Sequence, residues 1–509
     1  MQRALILSAI AGCVQAGTIQ GVALEHASGR PLARTVVRLD PVPQPSGNKA
    51  QVLTLRVGLS GNFVFPTVTP GVYLLTAIHD GYFPASFGQR LPAGHGAPIE
   101  VTADSTLFAE LRLRHKGAVT GRVLDENGVG TARIPVVAYR ARLPLRSAGS
   151  AVSGDRGVFR IPGLESGKYW VRSGAHTLVD GTGWLPTFGL VAREIREARV
   201  HQVNLDADTP DADISPETGT LFHMSGSITC ETAGPLIVTL SSETGHQRMQ
   251  TTCPPDIYQA VYHFEGLAPA VYEVFATSED GAMSGFTELY LDHDMNAVNI
   301  QAPKASPVEF EVRRAGSNAI ADIPLTLLGR RQDLAETQTE REITRPRTTL
   351  VAGHWEMRAR VPPGLYVESI ANQRGFPRRT WKVERAPDWF DVYIDARVPA
   401  RIRITVSDQA GQITGKVMSD GKPAAGAPVF LWPLAEAARR SLNGPPQTLS
   451  DTEGRFRFES LPPGDYRVLA SFDVNEIDWD LIEVSHAAVV HVDASQTATI
   501  ELAVWVAPW

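Results

Sequence analysis

One phrase recurs along the chain, and it constrains the architecture before any local interpretation begins. In residues 454–468 it reads Gly-Arg-Phe-Arg-Phe-Glu-Ser-Leu-Pro-Pro-Gly-Asp-Tyr-Arg-Val, and related phrases occupy residues 61–73 and 157–169. Each phrase contains two glycines ten residues apart: Gly61 and Gly71, Gly157 and Gly167, Gly454 and Gly464. A fixed internal period of this kind indicates a tandem array of one structural unit.

The phrase has a simple physical interpretation. Alternation of the type Phe-x-Phe is typical of a strand with one buried face. A glycine before that strand accepts a positive φ in a turn, and Pro-Gly after it favours a type II turn. The Tyr-x-Val that follows begins a second alternating strand. We therefore expect each phrase to form an antiparallel hairpin with a hydrophobic inner face.

Two weaker copies complete the series. Residues 262–272 keep the pattern, with Ala270 in place of the second glycine. Residues 353–366 contain Gly353, Trp355 and Gly364 but carry one additional residue, which predicts a β-bulge there. The chain therefore holds five copies.

Short strands and turns surround every copy. An opening strand with a central glycine precedes four of them, as in residues 413–417, Ile-Thr-Gly-Lys-Val. About seven short strands per hundred residues, separated by turn signals, are typical of a β-sandwich. The sequence predicts an all-β protein, a tandem array of about five Greek-key, Ig-like β-sandwich domains. Only residues 435–442 have helical character.

The order I-T-G-x-V, then G-x-P, then D-x-x-G-x-F-x-F-x-x-L-P-P-G-x-Y resembles the carboxypeptidase regulatory-like domain. That resemblance implies a transthyretin-like sandwich, close to the Cna B-type and starch-binding-like folds, and it implies no catalytic residues. It is strongest over residues 411–509, good over 18–114 and 117–205, and weaker over 220–303 and 307–406. Residues 82–90 are similar to loops in acidobacterial multi-repeat members, and residues 184–189 echo them.

The repeats divide the chain into a signal peptide, residues 1–16, and five domains. These are repeat 1 (17–114), repeat 2 (115–217), repeat 3 (218–304), repeat 4 (305–407) and repeat 5 (408–509). Repeats 3 and 4 are the divergent ones. If the repeats stand in line, each with a radius of gyration of roughly 13 Å, the array reaches on the order of 150 Å.

The first residues are typical of a targeting segment. Arg3 supplies a positive charge, residues 4–14 are apolar but too short to span a bilayer, and Ala16 precedes a cleavage site. A second interpretation is open, because residues 10–13 (Ile-Ala-Gly-Cys) resemble a lipobox that would acylate Cys13. Both interpretations predict export, with the protein periplasmic, on the outer surface or secreted. No later apolar run reaches spanning length.

Cysteine usage agrees with export. Apart from Cys13, the chain contains only Cys230 and Cys253, both in repeat 3. An even pair in an exported β-domain is most simply a disulfide, and two reduced buried thiols are the alternative.

The sequence offers little chemistry. No histidine has the spacing of a zinc-binding pair, and no nucleophile elbow, P-loop or dinucleotide fingerprint occurs, so we expect no catalytic residues, metal or cofactor. The net charge of −7 gives no electrostatic case for nucleic acid. Residues 206–217 superficially follow a calcium loop, but Pro210 and Asp211 break its pattern and favour a plain turn.

Aromatic residues in loops are the best ligand candidates, because a flat apolar ring suits stacking on a sugar. Padding between neighbouring domains is the competing interpretation. The candidates are Tyr82, Phe83 and Phe87 in repeat 1, Trp184 and Phe188 in repeat 2, and Trp479 in repeat 5. A basic group at residues 374–381 is either a solvated loop or a patch for acidic glycans.

Repeats without chemistry favour a non-catalytic protein of the cell envelope or exterior that acts as an interaction or spacer module. Two alternatives stay open: a carbohydrate-binding protein that uses the aromatic loops, and an accessory subunit of a peptidase or outer-membrane transporter. The expected partner is an envelope protein or a polysaccharide.

Overall fold

A computed structural model describes residues 16–44, 51–92, 94–141, 145, 147–178, 182–242, 245–331, 340–373, 388–395, 398–442 and 446–508. The signal segment, Cys13 and residues 374–381 lie outside these ranges, apart from Ala16. Five hydrophobic cores follow one another along the chain, within residues 19–113, 119–214, 224–302, 308–406 and 413–502. The predicted tandem array of all-β sandwiches is confirmed.

Repeat 1 shows the topology that the others vary. One sheet has the order β4-β1-β9-β6, and the other has the order β3-β2-β5-β7, with β8 also beside β5. The strands are β1 Gly17–Glu25, β2 Val36–Pro41, β3 Leu53–Arg56, β4 Asn62–Val68, β5 Gly71–Ile78, β6 Tyr82–Phe83, β7 Ala85–Ser86, β8 Ile99–Val101 and β9 Thr106–His115. The first strand, β1, runs antiparallel to β4 and parallel to β9.

Repeats 2 and 3 repeat this plan with the sheets β13-β10-β18 and β12-β11-β14-β17, then β23-β20-β26 and β22-β21-β24-β25. A small sheet, β15-β16-β19, joins them. The elements are β10 Gly117–Arg122, β11 Pro135–Arg140, β12 Ser147–Val152, β13 Val158–Leu164, β14 Gly167–Ser173, β15 His176–Thr177, β16 Gly183–Trp184, a 3-10 turn Ile195–Glu197, β17 His201–Val203, β18 Asp208–Thr209, β19 Thr218–Gly219, β20 Phe222–Cys230, β21 Gly234–Ser242, β22 Gly245–Cys253, β23 Gln259–Leu267, β24 Ala270–Ser278, β25 Ser284–Leu291 and β26 Ile300–Ala302.

Repeats 4 and 5 contain the sheets β30-β27-β34-β32 and β29-β28-β31-β33, then β36-β35-β39 with β42 beside β35, and β38-β37-β40-β41. The elements are β27 Ser306–Arg314, β28 Thr326–Arg331, β29 Arg341–Glu342, β30 Arg347–Leu350, β31 Gly353–Arg360, β32 Tyr366–Asn372, β33 Phe390–Ile394, β34 Ala400–Ser407, β35 Gly411–Ser419, β36 Lys422–Pro423, β37 Pro428–Pro433, α1 Glu436–Ser441, β38 Gln447–Leu449, β39 Arg455–Leu461, β40 Gly464–Ala470, α2 Trp479–Val484, β41 Ala488–Val492 and β42 Thr497–Ala503. Helix α1 confirms the helical character of residues 435–442, but α2 shows that the expectation of helix there alone was wrong. No helix in the described ranges is long and apolar enough to span a membrane.

The predicted hairpin is wrong, because the two strands of each phrase belong to different sheets. In repeat 1, β4 pairs with β1, whereas β5 pairs with β2. The two residues between β4 and β5 take the chain from one sheet to the other, whereas a hairpin would keep both strands in the same sheet. Both strands still bury one face, since the two sheets enclose the same core. The alternation of the sequence therefore identifies the buried face correctly but gives the wrong partner strand.

An aromatic side chain fixes this crossing in every repeat. In four repeats a tyrosine hydroxyl donates a hydrogen bond to the carbonyl oxygen four residues earlier. The pairs are Tyr73 with Thr69 at 2.7 Å, Tyr169 with Glu165 at 3.0 Å, Tyr272 with Ala268 at 2.9 Å and Tyr466 with Pro462 at 2.5 Å. In repeat 4 the indole N–H of Trp355 donates to the Val351 carbonyl oxygen at 3.0 Å. Burial raises the pKa of Tyr272 to about 12, so the proton needed for donation is retained.

The same bond corrects the alignment of repeat 4. Residues 350–355, Leu-Val-Ala-Gly-His-Trp, are the equivalent of Leu-Pro-Pro-Gly-Asp-Tyr in residues 461–466. Gly353 thus matches the second glycine of the other phrases, and Gly364 has no such equivalent. The predicted bulge is absent from β31, whose pairing is regular. A register shift occurs instead between Val367 and Ser369 of β32.

The glycine of the opening strand has a packing role. It lies directly opposite an aromatic residue in the pairs Gly21–Phe63, Gly121–Phe159, Gly226–Tyr262 and Gly415–Phe456. A Cβ atom on Gly21 would stand 1.9 Å from the carbonyl oxygen of Ala109 in the parallel strand β9. Aromatic residues opposite strand glycines cover the surface that glycine leaves bare. In repeat 4 the aromatic residue lies in the opening strand itself, where Phe310 is buried.

The corner hydrogen bond can be tested with Tyr466→Phe in the full chain. Loss of the hydroxyl leaves the Pro462 carbonyl oxygen without its donor, and we expect repeat 5 to lose about 1–2 kcal/mol of stability. Hydrogen exchange of β40 measures this locally, because a five-domain chain does not unfold in two states. Tyr290→Phe, at a ring that is 48% exposed, is the matched control and should change nothing. Equal protection of β40 in both variants would contradict the assignment.

Candidate functional site

The aromatic loop of repeat 2 is not available to a ligand. Trp184 is 5% exposed and packs in the core of its repeat, beside His176. Phe188 is 2% exposed, and the Arg172 guanidinium lies 5.2 Å from the centre of its ring. A sugar ring could not stack on either side chain in this conformation. Both rings are buried, which corrects the expectation of exposed rings, and the Trp184 backbone also pairs with Thr218 at the junction with repeat 3.

The aromatic loop of repeat 1 serves the junction with repeat 2. The Tyr82 ring lies 4.0 Å from the ring of His115, the last residue of β9, whose backbone N–H donates to Asp206 of repeat 2 at 2.7 Å. The Tyr82 hydroxyl donates to Glu25 at 3.2 Å. Hydrogen bonds from Ser28 and His115 lower the pKa of Glu25, so its carboxylate stays charged at this junction. Phe83 is half-buried, and Phe87 packs on the core of repeat 1. Tyr82 thus agrees with the competing interpretation of padding between neighbouring domains, whereas Phe87 extends the core of its own repeat.

Trp479 is the exception among the aromatic candidates. It opens helix α2 and is 44% exposed. The Asp478 carboxylate accepts a hydrogen bond from the Leu481 backbone N–H at 2.8 Å and so caps the helix. A half-exposed Trp479 ring could stack on a sugar with only one of its two faces.

Specific contacts also join the other consecutive repeats. Arg331 of repeat 4 is 2% exposed and reaches into repeat 3, where it donates to the Ser284 hydroxyl at 2.6 Å. Strands β16 and β19 pair across the junction of repeats 2 and 3. The Gly364 N–H of repeat 4 donates to the Ser460 hydroxyl of repeat 5 at 2.9 Å. Each junction therefore has contacts beyond the covalent link.

The least expected contact joins repeat 1 to repeat 5, and we call it the seam. It is formed by residues 42–43, 90–92 and 94–98 of repeat 1 and by parts of repeat 5 around Gly426, Gln447, Thr452 and Phe472. Two backbone hydrogen bonds cross it: the His95 N–H donates to the Phe472 carbonyl oxygen at 2.8 Å, and the Thr452 N–H donates to the Pro43 carbonyl oxygen at 3.2 Å.

An ion pair reinforces the seam. The Arg90 guanidinium lies 3.3 Å from the Asp473 carboxylate, which is 4% exposed. The other Asp473 oxygen accepts the Ala507 N–H at 2.9 Å. Because Arg90 itself is 56% exposed, solvent screens the pair, and its contribution to stability is modest. The buried carboxylate nevertheless needs these donors.

His95 occupies the centre of the seam. Its ring lies 6.3 Å from the Phe430 ring, and its Nε2 atom is 3.4 Å from the Gln447 amide nitrogen. Burial lowers the pKa of His95, because the charged imidazolium would lose its hydration there. Gly94 stands so close to repeat 5 that a Cβ atom would meet the Phe472 carbonyl oxygen at 2.7 Å.

The seam overturns the expectation of repeats in line. Contacts at the four consecutive junctions and at the seam link the five repeats in a closed cycle, whereas a rod would keep the first and last repeats apart. The sequence could not indicate this, because His95 and Phe472 are far apart in the chain and each belongs to an unremarkable loop.

A groove of about 690 Å³ borders the seam, on the outer face of the β35-β39 sheet. Pro43 of repeat 1 forms one side of it, and Lys416, Arg455, Arg457 and Glu501 contribute charged side chains. Arg457 is held by Glu459 at 2.6 Å, so part of this charge is already paired.

The acidic residues 206–213 do not converge. The Asp206 carboxylate accepts the His115 N–H at 2.7 Å, and Asp213 accepts the Arg122 N–H at 2.8 Å. Hydrogen bonds from Arg160 lower the pKa of Asp208. Within the described ranges, no group of three or more His, Cys, Asp or Glu residues could hold a metal ion.

Cys230 and Cys253 form a disulfide, which confirms the predicted pairing. Their Cα atoms are 6.5 Å apart, and the bond joins the end of β20 to the end of β22, one strand from each sheet of repeat 3. Repeat 3 lacks both glycines of the phrase, so a covalent link between its sheets compensates for weaker turns.

Removal of the disulfide should destabilise repeat 3 specifically. At a sequence separation of 23, replacing both cysteines (Cys230→Ser with Cys253→Ser) should cost roughly 3 kcal/mol through the entropy of the unfolded chain. Hydrogen exchange in β20 and β22 provides the local readout. Reduction of the wild-type chain should reproduce the loss, and reduction of the double variant should add nothing. Unchanged protection after reduction would contradict a stabilising role.

The seam predicts the size of the molecule in solution. A straight rod of about 150 Å has a radius of gyration of roughly 43 Å, and a closed cycle must have a clearly smaller one. Gly94→Val should break the seam and raise the radius of gyration in small-angle scattering. Gly58→Val is the matched control, because a Cβ atom there meets nothing within 4 Å. A wild-type radius equal to that of the rod would refute closure.

No protein-family model and no curated protein matches this chain. Similar solved structures include GBS52, the minor pilin of Streptococcus agalactiae, at 13% identity over 40% of this chain and 96% of that one, with a TM-score of 0.26. The major pilin subunit BcpA of Bacillus cereus is 9% identical over 76% and 99% of the two chains, with a TM-score of 0.14. The major pilin SpaD of Corynebacterium diphtheriae is 8% identical over 96% and 97%, with a TM-score of 0.16. Similarities at this level carry no functional conclusion.

Proposed function

We propose that this chain is a non-catalytic structural or adhesion-type module of the cell envelope or exterior. Its five β-sandwich repeats hold one another in a fixed arrangement and present their outer faces to an envelope protein or a polysaccharide. The observation that carries this proposal is the closed series of contacts, from the Arg331 hydrogen bonds between repeats 3 and 4 to the seam between repeats 5 and 1. Repeats held in a fixed arrangement would keep their outer faces in one orientation for a binding partner.

The use of aromatic residues supports the same proposal. The aromatic residue of each phrase makes the corner hydrogen bond, and Trp184 and Phe188 fill their own repeat. Burial of these two rings weakens the case for a carbohydrate-binding protein, and Trp479 is then its main candidate. A role as accessory subunit of a peptidase or transporter would use the same scaffold.

Three finer assignments belong to the proposal. The domain limits are those given by the repeats, at residues 114, 217, 304 and 407. The repeats are divergent members of the carboxypeptidase regulatory-like family, on the strength of the phrase in residues 411–509. The first sixteen residues direct export, and Cys13 is the alternative point of lipid attachment.

Export can be tested by producing the full chain, with a tag after Trp509, in a bacterial host. We expect the product to lose its first residues and to become accessible to protease once the outer membrane is opened or directly on intact cells. Cys13→Ala distinguishes the two routes: it leaves a secreted protein unaffected but releases a lipoprotein from the membrane fraction. A full-length product confined to the cytoplasm would contradict the proposed location.

A further inference from the structure

The seam differs from the other junctions in one physical respect. Consecutive repeats are tethered by the chain, so their contacts persist even when individual hydrogen bonds break. The seam has no such tether, since His95 and Phe472 lie in the first and last repeats. Its closure depends only on the non-covalent contacts across it.

We propose that the seam is an acid-released latch, in which protonation of His95 separates repeat 1 from repeat 5 while every repeat stays folded. The result is a switch between a closed cycle and an open chain of five repeats.

The contacts of His95 accommodate a neutral imidazole. The ring lies near the Phe430 ring, which has no carbonyl or carboxylate acceptor to offer in exchange for the water that an imidazolium would lose. The Gln447 amide nitrogen lies 3.4 Å from Nε2, where its N–H can donate to an unprotonated ring nitrogen. A proton on Nε2 would place two donors against each other unless the Gln447 amide turned over.

The charged groups on the seam do not compensate for that proton. Arg90, from the same loop as His95, and Asp473, from repeat 5, are engaged with each other at 3.3 Å. Asp473 also accepts the Ala507 N–H. Among the contacts of the described residues, none places a carboxylate on the His95 ring. Burial is the cause that lowers the pKa of His95.

The direction of the pH response follows from that lowered pKa. A proton binds the open state, with its ordinary histidine, more strongly than the closed state. Closure is therefore fully favoured above the ordinary value near 6.5 and is lost as pH falls below it. The ratio of closed to open molecules falls by up to about tenfold per pH unit until the pKa of the closed state is passed.

The geometry confines the change to the seam. Opening breaks two backbone hydrogen bonds, the contact between His95 and Gln447, the Arg90–Asp473 pair and the Arg90 hydrogen bond to the Ala507 carbonyl oxygen, all of which water can replace. The buried residues of the cores of repeats 1 and 5 and the disulfide lie outside this contact, and Phe472, which packs against the core of repeat 5, joins the seam through its backbone carbonyl oxygen. Acid should thus alter the shape of the molecule before it alters secondary structure.

Small-angle scattering of the full chain at pH 7.5 and pH 5.0 tests the latch, with circular dichroism to confirm folded repeats at both values. We expect the wild-type radius of gyration to rise by at least about 5 Å at pH 5.0. The change should be reversible and independent of protein concentration. An unchanged radius would overturn the proposal, as would a rise accompanied by loss of β-structure.

Three variants make the test specific. His95→Gln cannot take up the proton and should keep the pH 7.5 radius at pH 5.0. Gln447→Glu places a carboxylate on the imidazole, so it should hold the seam closed at pH 5.0. His293→Gln, at a side chain that is 68% exposed in repeat 3, is the control and should open like the wild type. If His95→Gln opens as readily as the control, another group drives the change and the proposal fails.

Discussion

The hydrogen bond from an aromatic side chain to the carbonyl oxygen four residues earlier is the constraint on which each repeat depends. It lies where the chain leaves one sheet and enters the other, so it sets the separation of the sheets and the direction of the second strand. Trp355 shows that the donor matters more than the residue type, since an indole N–H makes the same bond as the tyrosine hydroxyls. A buried carbonyl without this donor would cost about 1–3 kcal/mol at every corner.

Much of the fold could be predicted from the sequence, because strand alternation and turn residues are local signals. The all-β array and the disulfide follow from them. The partner of each strand does not, since alternation reports which face is buried and says nothing about which strand lies beside it. The alignment of repeat 4 was wrong for a related reason. Pro362, Pro363 and Gly364 have the sequence of the turn in the other phrases, but the corner hydrogen bond is made at residues 350–355, where tryptophan replaces the usual tyrosine.

The candidate site was less predictable. The loop aromatics attract attention as ligand contacts, yet rings such as Trp184 and Phe188 are just as useful to a small sandwich that must extend its core. The seam is formed by loops with no distinctive composition. Contacts between surfaces that are far apart in the chain produce no repeating pattern that could be recognised in the sequence. Gly94 is the one local signal of the seam, because a glycine allows another backbone to approach closely. The sequence alone does not show that the approaching backbone is that of Phe472.

The parallel pairing of first and last strands determines how each repeat responds to tension. If the chain is pulled from its two ends, β1 and β9 slide in opposite directions, and their hydrogen bonds are loaded together in shear instead of opening one at a time. In repeat 1 this contact runs the length of β1, from Thr18 to Glu25. In repeat 2 the described strand pairing is interrupted: it covers Ala118 and Val119 and resumes as a single parallel bridge between Val123 and Ile214. Under a stretching force we therefore expect repeat 2 to unfold at a lower force than repeats 1, 4 and 5, whose first and last strands pair over seven or eight residues.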